Sequence, residues 1–162
     1  MENKLEIILQ NLDENESLII GDQTFKDEII LDEILECSIL GTIIFCDINF
    51  KGIDFTGSNF FNCKFEDVNF RKCEFWNSTF ENCQIKNSDF TRTDFHKGSF
   101  RSCTFISANL RASDFSDFEF IQTKFKNSNL ELIIAQSVKF LESNQLIEIE
   151  KSKDFGKFLE NC

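Results

Sequence analysis

The sequence predicts an all-β fold, a four-sided parallel β-helix, from three observations: a large apolar residue at every fifth position, small residues recurring every 20, and short polar residues stacked at that same interval. Phe occupies 45, 50, 55, 60, 65, 70, 75 and 80, then 90, 95, 100 and 105, then 115, 120 and 125. Ile85, Leu110 and Leu130 fill the gaps, so 18 consecutive multiples of five run without insertion or deletion. On an α-helix, five residues advance about 140° past a full turn and would smear these side chains around the axis. On a flat strand an odd spacing throws alternate side chains to opposite faces. All of them point inward only if the chain turns a corner every five residues. Four right-angle corners close a coil of 20, and successive coils then stack about 4.8 Å apart.

Counting the large residue as i, position i−2 is small or apolar. Read every 20 residues it gives Ile43, Cys63, Cys83, Cys103 and Thr123 on one wall, then Ile48, Val68, Ser88, Ala108 and Ser128. The other two walls give Ile53, Cys73, Thr93 and Ser113, then Ser58, Ser78, Gly98 and Phe118. One large and one small residue per side is what a narrow, close-packed square core accommodates. Phe118 departs from its wall and is expected to point inward into volume vacated at Gly98. At i−1, Asn49, Asn69, Asp89, Asn109 and Asn129 form a column of short polar side chains expected at the corners, able to bond backbone and one another. The absence of Tyr fits, since a phenolic hydroxyl on the axis would lack a partner.

Segments such as SNFFN, VNFRK, SDFTR, TDFHK, ANLRA and SDFSD resemble the pentapeptide repeat family, whose motif is A(D/N)LXX, over residues 38–130. The resemblance implies a right-handed quadrilateral β-helix. It also implies a possible role, since some members match B-form DNA in width and charge, bind DNA gyrase or topoisomerase IV, and protect them from quinolones or toxins. Members with quinolone protection often carry loops projecting from the coils, and the unbroken phase from 45 to 130 leaves no room for one.

Four segments are expected. Residues 1–24 form an N-terminal cap, with Leu5, Ile8, Leu9 and Leu12 on one face of a short helix. Residues 25–44 keep the phase through Phe25, Ile30, Leu35 and Leu40 but place Glu28 and Glu33 at i−2, as in a degenerate first coil. Residues 45–130 are the repeat shaft. Residues 131–162 hold an imperfect repeat around Val138 and Phe140, then a short helix with Phe155, Phe158 and Leu159 on one face. That face either caps the last coil, as solenoid ends require, or joins a second subunit, as the resemblance implies for C-terminal segments. The chain is accordingly expected as a monomer or a homodimer.

The chain has 162 residues, one histidine, seven cysteines and a net charge of -11. An odd cysteine count without a CxxC pair fits reduced thiols. No apolar run is long enough for a transmembrane helix, and the N-terminus lacks the pattern of a secretory signal, so a cytoplasmic location and no membrane contact are expected. The acidic total argues against direct nucleic-acid binding. The acidity lies mostly in residues 1–44, whereas residues 45–130 hold 11 acids and 11 bases.

No nucleophile–base set, phosphate loop or metal constellation is present, so neither catalysis nor a cofactor is expected. Cys63, Cys83 and Cys103 share one inner wall and cannot converge on tetrahedral zinc, so they read as small packing groups. Cys46, at i+1, is expected to be outward and the most reactive thiol, and His96 a surface residue. The candidate partner-binding residues are the i−1 column Asp54, Glu74, Asp94 and Asp114 with the outward apolar Phe61, Trp76 and Ile121. Ile106 is outward in the same way. Lys51, Arg71, Lys72, Arg92 and Arg111 lie beside the acids, and a solvated salt-bridge ladder is the simplest expectation for that face. The function expected is a non-enzymatic, protein-binding rod, with topoisomerase binding as the alternative.

Overall fold

A chain that presents one large side chain inward every five residues can run straight for only three before it turns. The computed structural model shows this over the residues it describes: 19–21, 24–26, 39–41, 43–142 and 145–149. The helices expected over 2–12 and 152–162, the carboxylates of Glu28 and Glu33, and the Phe155, Phe158 and Leu159 face lie outside them. No helix occurs among the described residues.

Eight strands form one sheet: β1 (Ile19–Gly21), β3 (Ile39–Gly41), β5 (Asn59–Phe61), β7 (Thr79–Glu81), β9 (Ser99–Arg101), β11 (Glu119–Ile121), β13 (Val138–Glu142) and β14 (Gln145–Ile149). Six form the second: β2 (Thr24–Lys26), β4 (Ile44–Cys46), β6 (Lys64–Glu66), β8 (Gln84–Lys86), β10 (Thr104–Ile106) and β12 (Lys124–Lys126). Pairing is parallel at an offset of 20, as in Phe60↔Phe80 and Phe45↔Phe65. The third and fourth walls are single-residue bridges at the same offset, Asn49↔Asn69↔Asp89↔Asn109↔Asn129 and Asp54↔Glu74↔Asp94↔Asp114↔Ile134. The molecule is therefore a parallel β-solenoid with 20 residues per coil. The register reaches back to Ile19, which pairs with Ile39, so strand pairing begins inside the segment expected as a cap.

Every multiple of five from Phe45 to Phe120 is at most 2% exposed. Phe125 and Leu130 are only partly buried, although full burial is expected from the pattern. No described strand stacks on β12 and no described bridge lies above Asn129, so among the described residues no coil covers these two. The first wall ends differently. There β14 turns back antiparallel on β13, pairing Ile147 with Phe140, and Ile147 packs on the core.

The corners revise the reading of the turns. Positive φ recurs at every i+2 from Asp47 to Ser137, including Gly52 at 82° and Gly57 at 71°. The left-handed residue thus sits at i+2, while the i−1 residues assigned to corners belong to the extended walls. Asn or Asp, which tolerate this region, occupy eight of the 17 non-glycine corners. Lys72, Arg92, Ala112 and Leu132 take it as well, because the hydrogen bonds on either side leave no other path. At the third-wall corners the large residue's carbonyl accepts from the amide three on, as in Ile53 N to Phe50 O (3.0 Å) and Thr93 N to Phe90 O (3.1 Å).

Within the core, rings stack along each wall and meet edge-on between walls. Phe55 and Phe75 lie 4.9 Å apart at 4°, Phe75 and Phe95 5.3 Å apart at 8°. Phe50 meets Phe55 at 80°. The first-wall column breaks this rule at Phe100, tilted 75° to Phe80 and 62° to Phe120. The cause is Phe118, 1% exposed and pointing inward, whose ring lies 4.8 Å from Phe100 and 5.2 Å from Phe115. Two rings in one pentapeptide turn the neighbouring ring out of its stack.

Candidate binding faces of the shaft

Because i points inward, i−1 and i+1 point outward, and each wall carries two outward columns. On the fourth wall the bridges hold Asp54, Glu74, Asp94 and Asp114 in one line. The expected salt-bridge ladder on this face does not form. Among the described residues no base stands within ion-pair distance of any of the four. Three carboxylates turn instead to the backbone two residues on: Asp54 Oδ1 accepts from Thr56 N at 2.8 Å, Asp94 Oδ1 from His96 N at 2.9 Å, and Asp114 Oδ1 from Ser116 N at 2.8 Å. That Asx-type turn holds the side chain against its own strand. The bases find other acids: Arg71 Nε stands 3.9 Å from Asp89, Arg111 Nε 3.8 Å from Glu131, and Lys86 pairs with Glu66. The Glu66 carboxylate holds the exposed Lys86 ammonium above its ordinary range.

The third-wall column behaves as its composition suggests. Asn69 Nδ2 donates to Asn49 Oδ1 at 2.8 Å, and Asn109 Nδ2 donates to Thr91 Oγ1 at 2.9 Å.

The apolar candidates are not brought together. Trp76, 43% exposed, stands on the fourth wall with Lys97 Nζ 5.3 Å from its ring centre. Phe61 and Ile121 share the outer i+1 column of the first wall, but Glu81 and Arg101 lie between them. The Phe61 ring covers Gly41 so closely that a Cβ there would sit 2.0 Å from Phe61 Cζ. Half-buried His96 faces Asp117 at 3.7 Å. The pattern did not single out Leu132 and Ile134, which are 67% and 52% exposed. Their places at i+2 and i−1, one coil above Ala112 and Asp114, carry the signal that would have found them.

A second feature emerges only when charges are sorted by wall. From coil to coil the fourth wall's outward columns carry four acids and no lysine or arginine. The opposite second wall carries Lys64, Lys86, Lys124 and Lys126 against Glu66 alone. The neutral shaft is thus polarised across its width.

The inner i−2 residues are donors as well as small groups. Ser78 Oγ donates to Phe55 O at 2.7 Å, Thr93 Oγ1 to Phe70 O at 2.8 Å, and Ser113 Oγ to Phe90 O at 2.7 Å. Cys73 Sγ does the same to Phe50 O at 3.0 Å, and Cys103 Sγ to Phe80 O at 3.3 Å. Cysteine here takes the place of serine, a role beyond packing. None of the described cysteines is in a disulfide. Burial pushes the Cys73 thiol up to about 12, and hydrogen bonding with Cys103 and Cys63, with burial, pushes Cys83 up. Cys46 is half-buried, its Sγ donating to Asp47 Oδ2 at 3.4 Å. Among the described residues no three His, Cys, Asp or Glu side chains surround a metal-sized space.

The model for pentapeptide repeats matches residues 45–77 and 63–105, with eight copies in all. Residues 45–105 of the chain are pentapeptide repeats. Three solved structures of the family's fold are similar to it. A trypsin-treated variant of QnrB1, a plasmid-mediated fluoroquinolone resistance protein, is 14% identical over 76% of this chain and 72% of that one, with a TM-score of 0.40. A pentapeptide repeat protein of the Arabidopsis thaliana thylakoid lumen is 17% identical over 59% and 67%, with a TM-score of 0.41. HetL, involved in heterocyst differentiation regulation in the cyanobacterium Nostoc, is 10% identical over 82% and 73%, with a TM-score of 0.34. No curated protein matches in sequence.

Proposed function

We propose that the chain is a non-enzymatic pentapeptide-repeat rod that binds another protein along its fourth wall, in the cytoplasm. One observation carries the reading: Asp54, Glu74, Asp94 and Asp114 are held in one line on one face, with no base in contact among the described residues, beside exposed Trp76. A column of carboxylates at strand spacing, about 4.8 Å, presents a regular negative strip to a partner bearing a basic one. Electrostatic matching of this kind raises encounter rate and specificity, and weakens with salt. Exposed Phe61 and half-buried Ile121 lie on the adjacent first wall, where they serve as flanking contacts rather than part of the strip.

The partner is identified by affinity capture, then measured against the intact protein and a variant carrying Asp54→Asn, Glu74→Gln, Asp94→Asn and Asp114→Asn. Loss of binding in that variant, with binding retained when the second-wall lysines are replaced, supports the assignment. Equal binding by both overturns it.

The acidic strip also favours a narrower reading, in which the partner is a type II topoisomerase whose DNA-binding surface is basic. Supercoiling and relaxation by purified gyrase, with and without a fluoroquinolone, test it. Inhibition or protection that disappears in the same variant supports this reading, and gyrase activity unchanged by a large excess of the protein rejects it. The Phe155, Phe158 and Leu159 face either caps the last coil in a monomer or joins two subunits in a homodimer, and sedimentation of the intact protein and of a Phe155→Asp, Phe158→Asp variant separates the two.

A further inference from the structure

We propose that the Cys63–Cys83–Cys103 column is a binding site for one soft monovalent metal ion, Cu(I), held in line between Cys83 and one neighbouring sulfur. The three thiols occupy the same inner position of successive coils and are at most 2% exposed, held in register by Gln84 N donating to Cys63 O at 2.9 Å and Thr104 N donating to Cys83 O at 3.0 Å. Thiolate sulfur selects soft ions such as Cu(I). A column cannot surround an ion, which excludes the tetrahedral arrangement of zinc. It can flank one. Metal–sulfur bonds are about 2.3 Å, so two sulfurs on either side of an ion stand about 4.6 Å apart. Side chains in register on neighbouring strands repeat at about 4.8 Å. The stacking that forms the coil therefore sets two parallel sulfurs at the separation a two-coordinate ion needs.

The charge also balances. Cu(I) displaces one proton, which leaves to solvent, and the ion is then held by one thiolate and one thiol. The complex is neutral, as an apolar surrounding of Phe60, Phe65, Phe80 and Ile85 demands. The hydrogen bonds given up are long ones: Cys83 Sγ donates to Phe60 O at 3.5 Å and Glu81 O at 3.4 Å. Cys73 lies on a different wall, between Ile53 and Thr93, and has no sulfur above or below it.

Position in the column makes the site testable, because Cys83 belongs to both possible pairs and each end thiol to one. The experiment uses the full chain with Cys37, Cys46 and Cys162 replaced by Ser, titrated anaerobically with Cu(I) against a chromogenic Cu(I) chelator. Thiolate-to-metal absorption in the ultraviolet is the second readout. Serine already stands at equivalent positions, as Ser78, Ser88 and Ser113, so Cys→Ser variants should fold, and circular dichroism verifies each. One Cu(I) per chain is expected. Cys83→Ser should weaken binding by at least about 100-fold, while Cys63→Ser, Cys103→Ser and Cys73→Ser should each change it by less than about threefold. Equal losses in all variants, no loss in Cys83→Ser, no Cu(I) bound, or binding accompanied by loss of the β signal would each overturn the proposal.

Discussion

The middle of the shaft and the level of Phe118 solve the same packing problem differently. From Phe45 to Phe95 each side of the coil carries one large inward residue, a ring everywhere except at Ile85, and the rings along a wall stack nearly parallel. At Phe118 a second ring enters, Gly98 loses its side chain one coil below, and Phe100 turns 75° from Phe80. The core thus tolerates a doubled ring only where a neighbouring coil is reduced to backbone and a third ring rotates. Interior packing is conserved in volume, while ring orientation is free to change.

The largest expected effect tests that contrast. Phe90→Ala in the regular region empties a site whose neighbours are already stacked, and should cost about 3–5 kcal/mol. Phe118→Ala should cost less, because Phe100 can return to the stack between Phe80 and Phe120 and fill the void. Chemical denaturation of both variants decides it, and equal losses would show that Phe100 does not relax.

Next comes alkaline stability. Cys73 ionises in the unfolded chain near an ordinary 9.0 but in the fold only near about 12. Between those values the native state holds a proton that the unfolded chain has lost, so stability falls as pH rises, by up to about 1.4 kcal/mol per pH unit. Below pH 9 the group contributes no slope. Urea midpoints from pH 8 to 11 should drop in the wild type, and Cys73→Ser should make the curve shallower without flattening it, because the raised Cys83 thiol adds to the same slope.

Gly98→Ala sharpens the comparison further. A Cβ there would sit 2.5 Å from Ser78 O and 2.8 Å from Phe118 Cε2. The substitution should cost about 1–3 kcal/mol. Adding Phe118→Ala should restore only part of that, since the carbonyl contact is backbone and remains. Full recovery in thermal melts of the double variant would assign the whole cost to the ring. The smallest effect belongs to the corners: Ala112→Gly, at φ 59°, should be neutral to about 1 kcal/mol stabilising.

The five-residue period and the 20-residue coil were readable because both are constraints on side-chain volume repeated at fixed spacing. Inward Phe118 and its debt to Gly98 were readable for the same reason. The corner conformation was not, since Lys72, Arg92, Gln122 and Leu132 adopt it as readily as Asn62 does. There the ladder of neighbouring coils decides the backbone, and residue type only eases it. The acid column was placed correctly on one wall, but its bonding was misjudged: adjacency in sequence suggested Lys51 and Arg71 as partners, and a two-residue Asx turn won. The hairpin partner β14 was missed although Val138–Glu142 and Gln145–Ile149 are both short apolar-rich runs separated by Ser-Asn, a loop signal.

The corner at every i+2 has a consequence for how such a chain can change over generations. Duplicating a single pentapeptide leaves every inward residue inward, yet rotates all that follows by a quarter-turn about the axis. Duplicating four adds a storey without rotation. An ancestral shaft can therefore move its acids from one side to the next while its interior stays interchangeable, so surface and core evolve as two nearly independent messages written in one sequence.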